Sequence, residues 1–588
     1  KIKKIQTIWN RCDVEEWKHW GRSNRVKLGG WLLDCILQTS GWFEKKIAIK
    51  HGKKNNYIVP TESFEAIKSK VMHDAELFCP LAWPMLIEPN DWSTEKPGGY
   101  LLNEVMKGHD MVRKSNASCI QGEKPIAFLN KIQKVAYTLN PFTVEVSEIL
   151  ERQGIPVGKF RPIVQHPHPP KPVDIAENYE SRKRYRREFA RAEDEQKQEP
   201  KRNCRTRMTM ETVERFKDKD KFYIPWSFDY RGRIYPIPAF LTPQDTDWGK
   251  SLLRFHEESF MDEEAERWLR FQVATTYGLD KETLDDRLSW TYQNEWLIER
   301  VATDPIDNLP DWEGAEEPWQ FLAACDEFYH CVIKRDRIST GLPVAIDATC
   351  SGLQILAGLA KDKSTAELVN VIPTDKPSDA YKSIAEESKS NIPQDIVPHW
   401  DRKCTKRTVM TIPYNAKPFS NRSYIREALK EKGIEIDKDS LTTVVQAVRD
   451  SMHTIVPGPM AVMKWIEDQV KEALKNNQTE FEWETPSGFV VKQSLYKAEM
   501  ERITLQVLGR CNMRVAVGDS NTVDKARHKA ATAPNLIHSL DASLLCLAVL
   551  EFNHPIALIH DSVLCRATDM GELSRIVRET YMHLFAEH

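Results

Sequence analysis

Cysteine pairs at metal-binding spacing are missing from this chain. Twelve cysteines are scattered along it with no Cys-x-x-Cys pair, which argues against a zinc site or a disulfide framework and suits a reducing cytosol. Long apolar runs are missing too: none reaches the roughly 20 residues of a membrane-spanning helix. No signal peptide opens the sequence, which starts at Lys1 as a processed or truncated form would. Excess positive charge is also absent. The formal net charge is −3, which excludes a uniformly basic surface and leaves only local segregation of charge for holding nucleic acid. Glycine and proline are too few for a fibrous or disordered chain, and no repeat recurs at a fixed period.

What remains is a 588-residue chain, 41% hydrophobic and 29% charged, ordinary for a soluble protein with roughly three or four domains' worth of core. Charge is segregated along it. Residues 182–207 hold eleven basic and five acidic side chains, 402–430 hold eight basic side chains against Glu427 alone, and 303–318 hold six acidic ones and no basic one. Helical periodicity marks 25–40 and 62–78. Residues 126–155 read as a long amphipathic helix broken near Pro141. The proline-rich stretch 165–174 is a loop, and 175–219 is helical in pattern. Beyond 221 strands and helices alternate. At the end Leu573, Ile576, Val577, Tyr581, Leu584 and Phe585 share one helix face, and the chain stops in mid-pattern.

Two short apolar runs each finish in an aspartate. PVAID (343–347) ends at Asp347, and IALIHDSV (556–563) carries Asp561. Taken singly, each is the kind of Asp that ends a strand by bonding a turn. Taken together, two such carboxylates side by side repel and raise one another's pKa unless a cation lies between them. Magnesium suits such a pair, since it binds through one or two carboxylates plus substrate phosphates. Two ions about 4 Å apart can hold both oxygens of a phosphoryl transfer. Between the two runs lies RKCTKRTVMTIPY (402–414). Arg402 and Lys406 share a helical face, and Tyr414 falls within about a right angle of Lys406 on the same helix.

These blocks, in this order, resemble the single-subunit DNA-directed RNA polymerases of podophages and mitochondria, the phage members most. DYRGRIYP (229–236), PVAIDATCSGLQ (343–354), RKCTKRTVMTIPY, TAPNLIHSLDAS (532–543) and IALIHDSV carry the likeness over roughly 221–580. VNVIPTDKPSDAY (369–381) is a weaker sixth block. The resemblance implies a mixed α+β, predominantly helical chain with the right-hand fold of palm, fingers and thumb. Its parts would be a reduced N-terminal region (1–125), thumb and basic linker (126–220), palm with the first catalytic Asp (221–360), fingers with the nucleotide-binding helix (361–480), and a palm continuation (481–588). That last part would include a specificity-type hairpin near 490–522 and the second catalytic Asp.

The resemblance also implies roles. Asp347 and Asp561, with the carbonyl of Ala348, would bind two magnesium ions. Lys406 would neutralise phosphate charge and protonate the leaving group. Arg402 and Arg407 would hold phosphates, with Lys281 a weaker candidate. Tyr414 and His538 would sense the ribose 2′-hydroxyl, and Tyr381 would cover the incoming nucleotide. Arg231 and Arg233 would contact template and hybrid. Arg510, Asn512 and Arg514 alternate and so share one strand face, from which Arg and Asn can read base edges in the major groove. Partners would be double-stranded DNA template and promoter, RNA product and NTPs, with no membrane, for a monomer in the host cytoplasm if phage-encoded.

Two departures stand out. The family usually has Gly after the central tyrosine, where this chain has Asn415, and Pro413 should end or kink the helix. The nearest rival is a family A-type DNA polymerase. That group usually has Glu after the His-Asp pair, where Ser562 stands here. A truncated, catalytically impaired nucleic-acid-binding form is the other alternative.

Overall fold

The computed structural model describes residues 20–50, 53–64, 67, 82–103, 109–113, 120–164, 166–374, 377–507 and 509–586. The expected helix over 62–78 lies mostly outside them. The chain divides into two compact units, Lys1–Leu81 with Ser494–His528, and Ala82–Gln493 with Lys529–His588. Helix predominates, at 53%, with a smaller share of strand, so the chain is mixed α+β and mainly helical.

In the smaller unit a long hairpin pairs Tyr496–Gln506 with Arg510–Val523. The helix Arg22–Thr39 lies against it. Gly30 allows the close approach, for a Cβ there would sit 3.0 Å from Leu505 Cδ2. Ser23 Oγ donates to Glu501 Oε1 at 2.8 Å. A second hairpin pairs Phe43–Lys50 with Lys53–Pro60.

The larger unit holds the main core. Its largest wholly buried side chains include Trp226, Trp248, Trp312, Trp319 and Phe321. The helix Pro318–Phe328 is buried on almost every side, which forces its two buried carboxylates, Asp326 and Glu327, to be paired. Arg254 Nη2 reaches Glu327 Oε1 at 3.0 Å, and Arg337 donates from the other side. A separate apolar cluster joins the helices Ala380–Ser388, Arg402–Thr411, Pro418–Glu431 and Lys438–Ile455 through Ile384, Val409, Ile425, Leu429, Val444 and Val448.

The broken helix expected over 126–155 is three elements. Helix Glu123–Gln133 is followed by strand Ala136–Leu139 and helix Pro141–Gln153. The strand exists because Leu253–Phe255 and Phe222–Tyr223 pair with it on either edge. Asn140 then caps the next helix by accepting from Phe142 N at 3.2 Å, and Pro141 takes the first helical position.

The basic stretch forms two helices, Tyr179–Arg202 and Cys204–Phe216. Acidic side chains of the first bind the proline-rich loop: His166 Nε2 lies 3.0 Å from Glu199 and His168 Nε2 2.7 Å from Glu193. Lys183, Arg184, Arg186 and Arg187 are left exposed.

Among the described residues one helix, Lys525–Glu551, is long and apolar enough to cross a membrane; 56% of its most apolar window is buried inside the protein. It carries two polar residues of the site, His538 and Asp541. At the chain's end the helix Met570–Ala586 buries Leu573, Ile576 and Leu584, the face its periodicity predicts.

Candidate active site

A three-stranded antiparallel sheet, ordered Val344–Ile346, Ser562–Cys565, Ile556–Ile559, organises the site. Ile559 pairs with Ser562, which leaves His560 and Asp561 as a two-residue hairpin turn. Such a turn needs a left-handed residue, and His560 takes it at φ 58. Asp561 is thereby set at the hairpin tip. On the neighbouring strand Ile346 pairs with Val563, so Asp347 comes opposite Ser562. The Ser562 hydroxyl donates to Asp347 Oδ1. Burial pushes the Asp347 carboxyl above its usual range, Ser562 opposes this, and the negative charge of Asp561 raises it further.

A third carboxylate completes the group. Asp541 and His538 sit three apart on one face of the helix Lys525–Glu551. Arg233 donates to Asp541. Burial pushes Asp541 up to about 6; Arg233 pulls it back, and Asp561 and Asp347 both raise it. Arg231 is clamped by Asp229, with contacts of 2.9 Å from Nε and 2.6 Å from Nη2, and its Nη1 donates to His538 Nδ1 at 2.7 Å. That bond leaves the ring proton of His538 on Nε2. Burial, then the charges of Arg233, Arg231 and His560, push the imidazole down to about 2, so it is neutral at any working pH. Gly232, at φ 96, makes the tight turn that aims the two arginines; a Cβ there would also meet Phe489 at 3.1 Å.

The helix Arg402–Thr411 is capped by Asp401, which accepts from Lys403 N at 3.0 Å and Cys404 N at 3.3 Å. Most of its cations are committed. Arg402 pairs with Asp379 and lies 5.2 Å over the Tyr381 ring. Lys403 pairs with Glu431 at 2.9 Å. Arg407 pairs with Glu427 at 2.6 Å and covers the Tyr424 ring at 4.1 Å. Lys406 alone, half-exposed, has no partner among the described residues.

Tyr414 is not on the regular helix with Lys406, in keeping with the break expected at Pro413. The helix ends at Thr411 and Pro413 follows, so Tyr414 stands in the closing turn. There it stacks on His538, centroids 4.5 Å apart and planes 19° apart. Gly352 makes the seat, since a Cβ would lie 2.9 Å from the Tyr414 hydroxyl oxygen. Ser351 Oγ is 3.4 Å from the same oxygen. Burial pushes the Tyr414 phenol up to about 12.

Other sequence candidates are placed differently from one another. Tyr381 is 4% exposed, with its hydroxyl donating to Thr349 O at 3.4 Å, so its ring is a wall under Arg402. Arg231 and Arg233, assigned by sequence to the nucleic-acid backbone, are held first by protein groups. Lys281 pairs with Asp280, and no contact joins it to the carboxylates. In the smaller unit Arg510, Asn512 and Arg514 are exposed on one strand face, opposite Gln506, Thr504 and Arg502. Thr504 Oγ1 donates to Asn512 Oδ1 at 2.7 Å. Arg502 thus directly faces Arg514, a like-charge pair that is unfavourable without an anion.

Asp541, Ser562, Gly352 and Arg502 are site residues that sequence reasoning missed. For the first two a signal existed: Asp541 lies in the TAPNLIHSLDAS block, three residues after His538, and Ser562 follows Asp561 directly. Among the described residues no three His, Cys, Asp or Glu side chains form a ready metal cage. The donor set still fits magnesium, which commonly uses two carboxylates and completes its shell with water and phosphate. The raised Asp347 carboxyl, repelled by Asp561, is a charge that a divalent cation would relieve.

Comparison with known proteins points one way. The family described as DNA-dependent RNA polymerase matches residues 259–588. The DNA-directed RNA polymerase of Enterobacteria phage K11 is 24% identical, over 98% of this chain and 71% of its own length. That of Enterobacteria phage T3 is also 24% identical, over 96% and 72%. The DNA-directed RNA polymerase 3, chloroplastic, of Nicotiana sylvestris is 27% identical, over 100% and 65%.

Proposed function

The chain belongs to the single-subunit DNA-dependent RNA polymerases of phage and organelle type, enzymes of DNA-templated RNA synthesis, and from that premise we propose that it adds ribonucleotides at Asp347 and Asp561 and starts at specific promoters. The observation that carries the site is the meeting of these two residues, distant in the chain, on either side of Ser562.

Asp347, Asp561 and the Ala348 carbonyl would hold two magnesium ions. When bound, magnesium supplies charge neutralisation and a more acidic RNA 3′-hydroxyl. The chain's own residues do the rest. Lys406, uncommitted in the free protein, takes the charge of the departing pyrophosphate and gives it a proton. Arg402 holds β- and γ-phosphates once they compete it from Asp379, and Arg407 and Lys281 add positive field. Tyr381 walls the nucleotide site. The neutral Nε2–H of His538 and the Tyr414 hydroxyl meet the ribose 2′-hydroxyl, the group that separates NTP from dNTP. Arg231 and Arg233 hold the template side through their outer N–H groups.

Residues 221–360 and 481–588 form the palm, 361–480 the fingers and 126–220 the thumb. The hairpin face bearing Arg502, Arg510, Asn512 and Arg514 reads promoter bases and phosphates. One chain carries all these parts, so a monomer suffices.

Extension of a primed template by NTPs and by dNTPs, with and without magnesium, tests the reading. NTP preference, magnesium dependence and inactivity of Asp561→Asn are expected. A dNTP preference, or extension by Asp561→Asn equal to the parent, overturns it.

A further inference from the structure

Asn415, which stands where the family usually has Gly, meets two separate demands. The first is on its backbone. Asn415 N donates to Ile412 O at 2.8 Å and Ala416 N to Thr411 O at 3.1 Å. These are the paired bonds of a Schellman closure, with Asn415 in the left-handed position at φ 60. After glycine, Asn tolerates that conformation best. The turn that presents Tyr414 therefore closes without Gly.

The second demand is on its side chain. Pro534 lies inside the helix Lys525–Glu551. Proline has no N–H, so the carbonyl four residues earlier, Ala530, loses its ladder donor. Asn415 Nδ2 donates to that carbonyl at 3.1 Å and reaches Lys529 O at 3.4 Å. Lys417 Nζ donates to Asn415 Oδ1 at 2.6 Å, which fixes the amide with its nitrogen toward the carbonyls. Arg449 Nη1 holds the same turn from behind, donating to Ala416 O at 3.0 Å.

We propose that Asn415 is a positioning residue for ribose selection: its amide supplies the donor that Pro534 withholds and so fixes the Tyr414 ring on His538. This rests on the reading of Tyr414 and His538 as the ribose-sensing pair. Ala530, Pro534 and His538 follow one another at four-residue steps on one helix face. Asn415 grips that face at Ala530 and Tyr414 grips it at His538, about 12 Å further along the helix axis. One attachment would leave a pivot, whereas two fix the ring's rotation as well as its distance. Glycine at 415 would keep the Schellman closure and lose the upper grip.

The test measures kcat/KM for an NTP and its 2′-deoxy analogue on a primed template, in Asn415→Gly, Asn415→Asp, Pro534→Ala, the double variant Asn415→Gly with Pro534→Ala, and Tyr414→Phe. Asn415→Gly keeps the favoured backbone and should fold, so a merely structural role predicts no change in the NTP/dNTP ratio. The expected result is a fall in that ratio of about fivefold, the worth of one hydrogen bond. Asn415→Asp, which turns an acceptor toward two carbonyls, should lose at least as much. In the Pro534→Ala background position 534 regains its own N–H, and Asn415→Gly should cost less than about twofold. If Tyr414→Phe lowers the ratio and Asn415→Gly does not, the positioning role is overturned and ribose sensing stands. If Asn415→Gly costs the same with either residue at 534, donor replacement is overturned. If Tyr414→Phe leaves the ratio unchanged, ribose sensing fails and the positioning role falls with it.

Discussion

Ser562 donates its hydroxyl proton to Asp347 from the position directly after Asp561. One small side chain thus stands between two acids that repel each other, and burial together with that repulsion raises the Asp347 carboxyl.

That relationship predicts opposite effects on activity and stability. The folded-state pKa of Asp347 is raised, so its charged form is disfavoured by folding at neutral pH. Asp347→Asn keeps the acceptor for Ser562 and removes the charge. Primer extension should fall about 10³-fold or more, while the thermal midpoint holds or rises. A midpoint lowered by several degrees would contradict the stated strain.

His538 predicts a pH dependence. Its folded pKa is pushed down to about 2, against about 6.5 unfolded. The unfolded chain therefore binds the proton first, and stability falls as pH drops below about 6.5, by up to about 1.4 kcal/mol per pH unit for this one group. His538→Gln has no proton to take up. Chemical denaturation between pH 7.5 and 5 should show a slope shallower by that one proton in the variant; identical slopes would refute it.

Gly352 predicts a selectivity defect without a folding defect. A methyl group there lies 2.9 Å from the Tyr414 oxygen, so the ring must leave its seat. Near the start of a helix, Ala also gains up to about 1 kcal/mol in propensity over Gly. Gly352→Ala should keep its thermal midpoint within a few degrees and lose about tenfold in NTP over dNTP preference, a loss of about 1.4 kcal/mol. Unchanged preference would show that the Tyr414 position does not set it.

Arg502 facing Arg514 predicts a salt signature. If the pair is held by phosphate, Arg514→Ala should make the log–log salt dependence of promoter binding shallower by about 0.9 per lost contact. The free protein should be no less stable, because a cross-strand like-charge pair costs roughly 0.2–1 kcal/mol. Affinity titrations at several salt concentrations check the slope.

The parts of this molecule that sequence makes legible are those written in a local pattern. The two aspartate-ended strands, the basic helix and the long hairpin each show a period or a block of fixed spacing. Partners chosen by tertiary packing are not written that way. Strand Ala136–Leu139 has four residues between two helices, and only its pairing with distant strands makes it a strand. Arg231 and Arg233 look like free cations until His538 and Asp541 arrive from elsewhere in the chain to join the neighbouring Asp229. Lys406 differs from Lys403 and Arg407 only in what stands opposite. Tyr414 left the regular helix because of Pro413, a local signal whose consequence for the ring needed the His538 helix to be seen.

The strand pairing that joins residues 344–346 to 562–565 also has a temporal meaning. It closes a very long loop, and such pairings are paid for in chain entropy before they return any energy. A ribosome must have released the chain well past residue 565 before the second acid can dock beside the first. On the proposed site, chains that stop short of that hairpin are inert toward nucleotides.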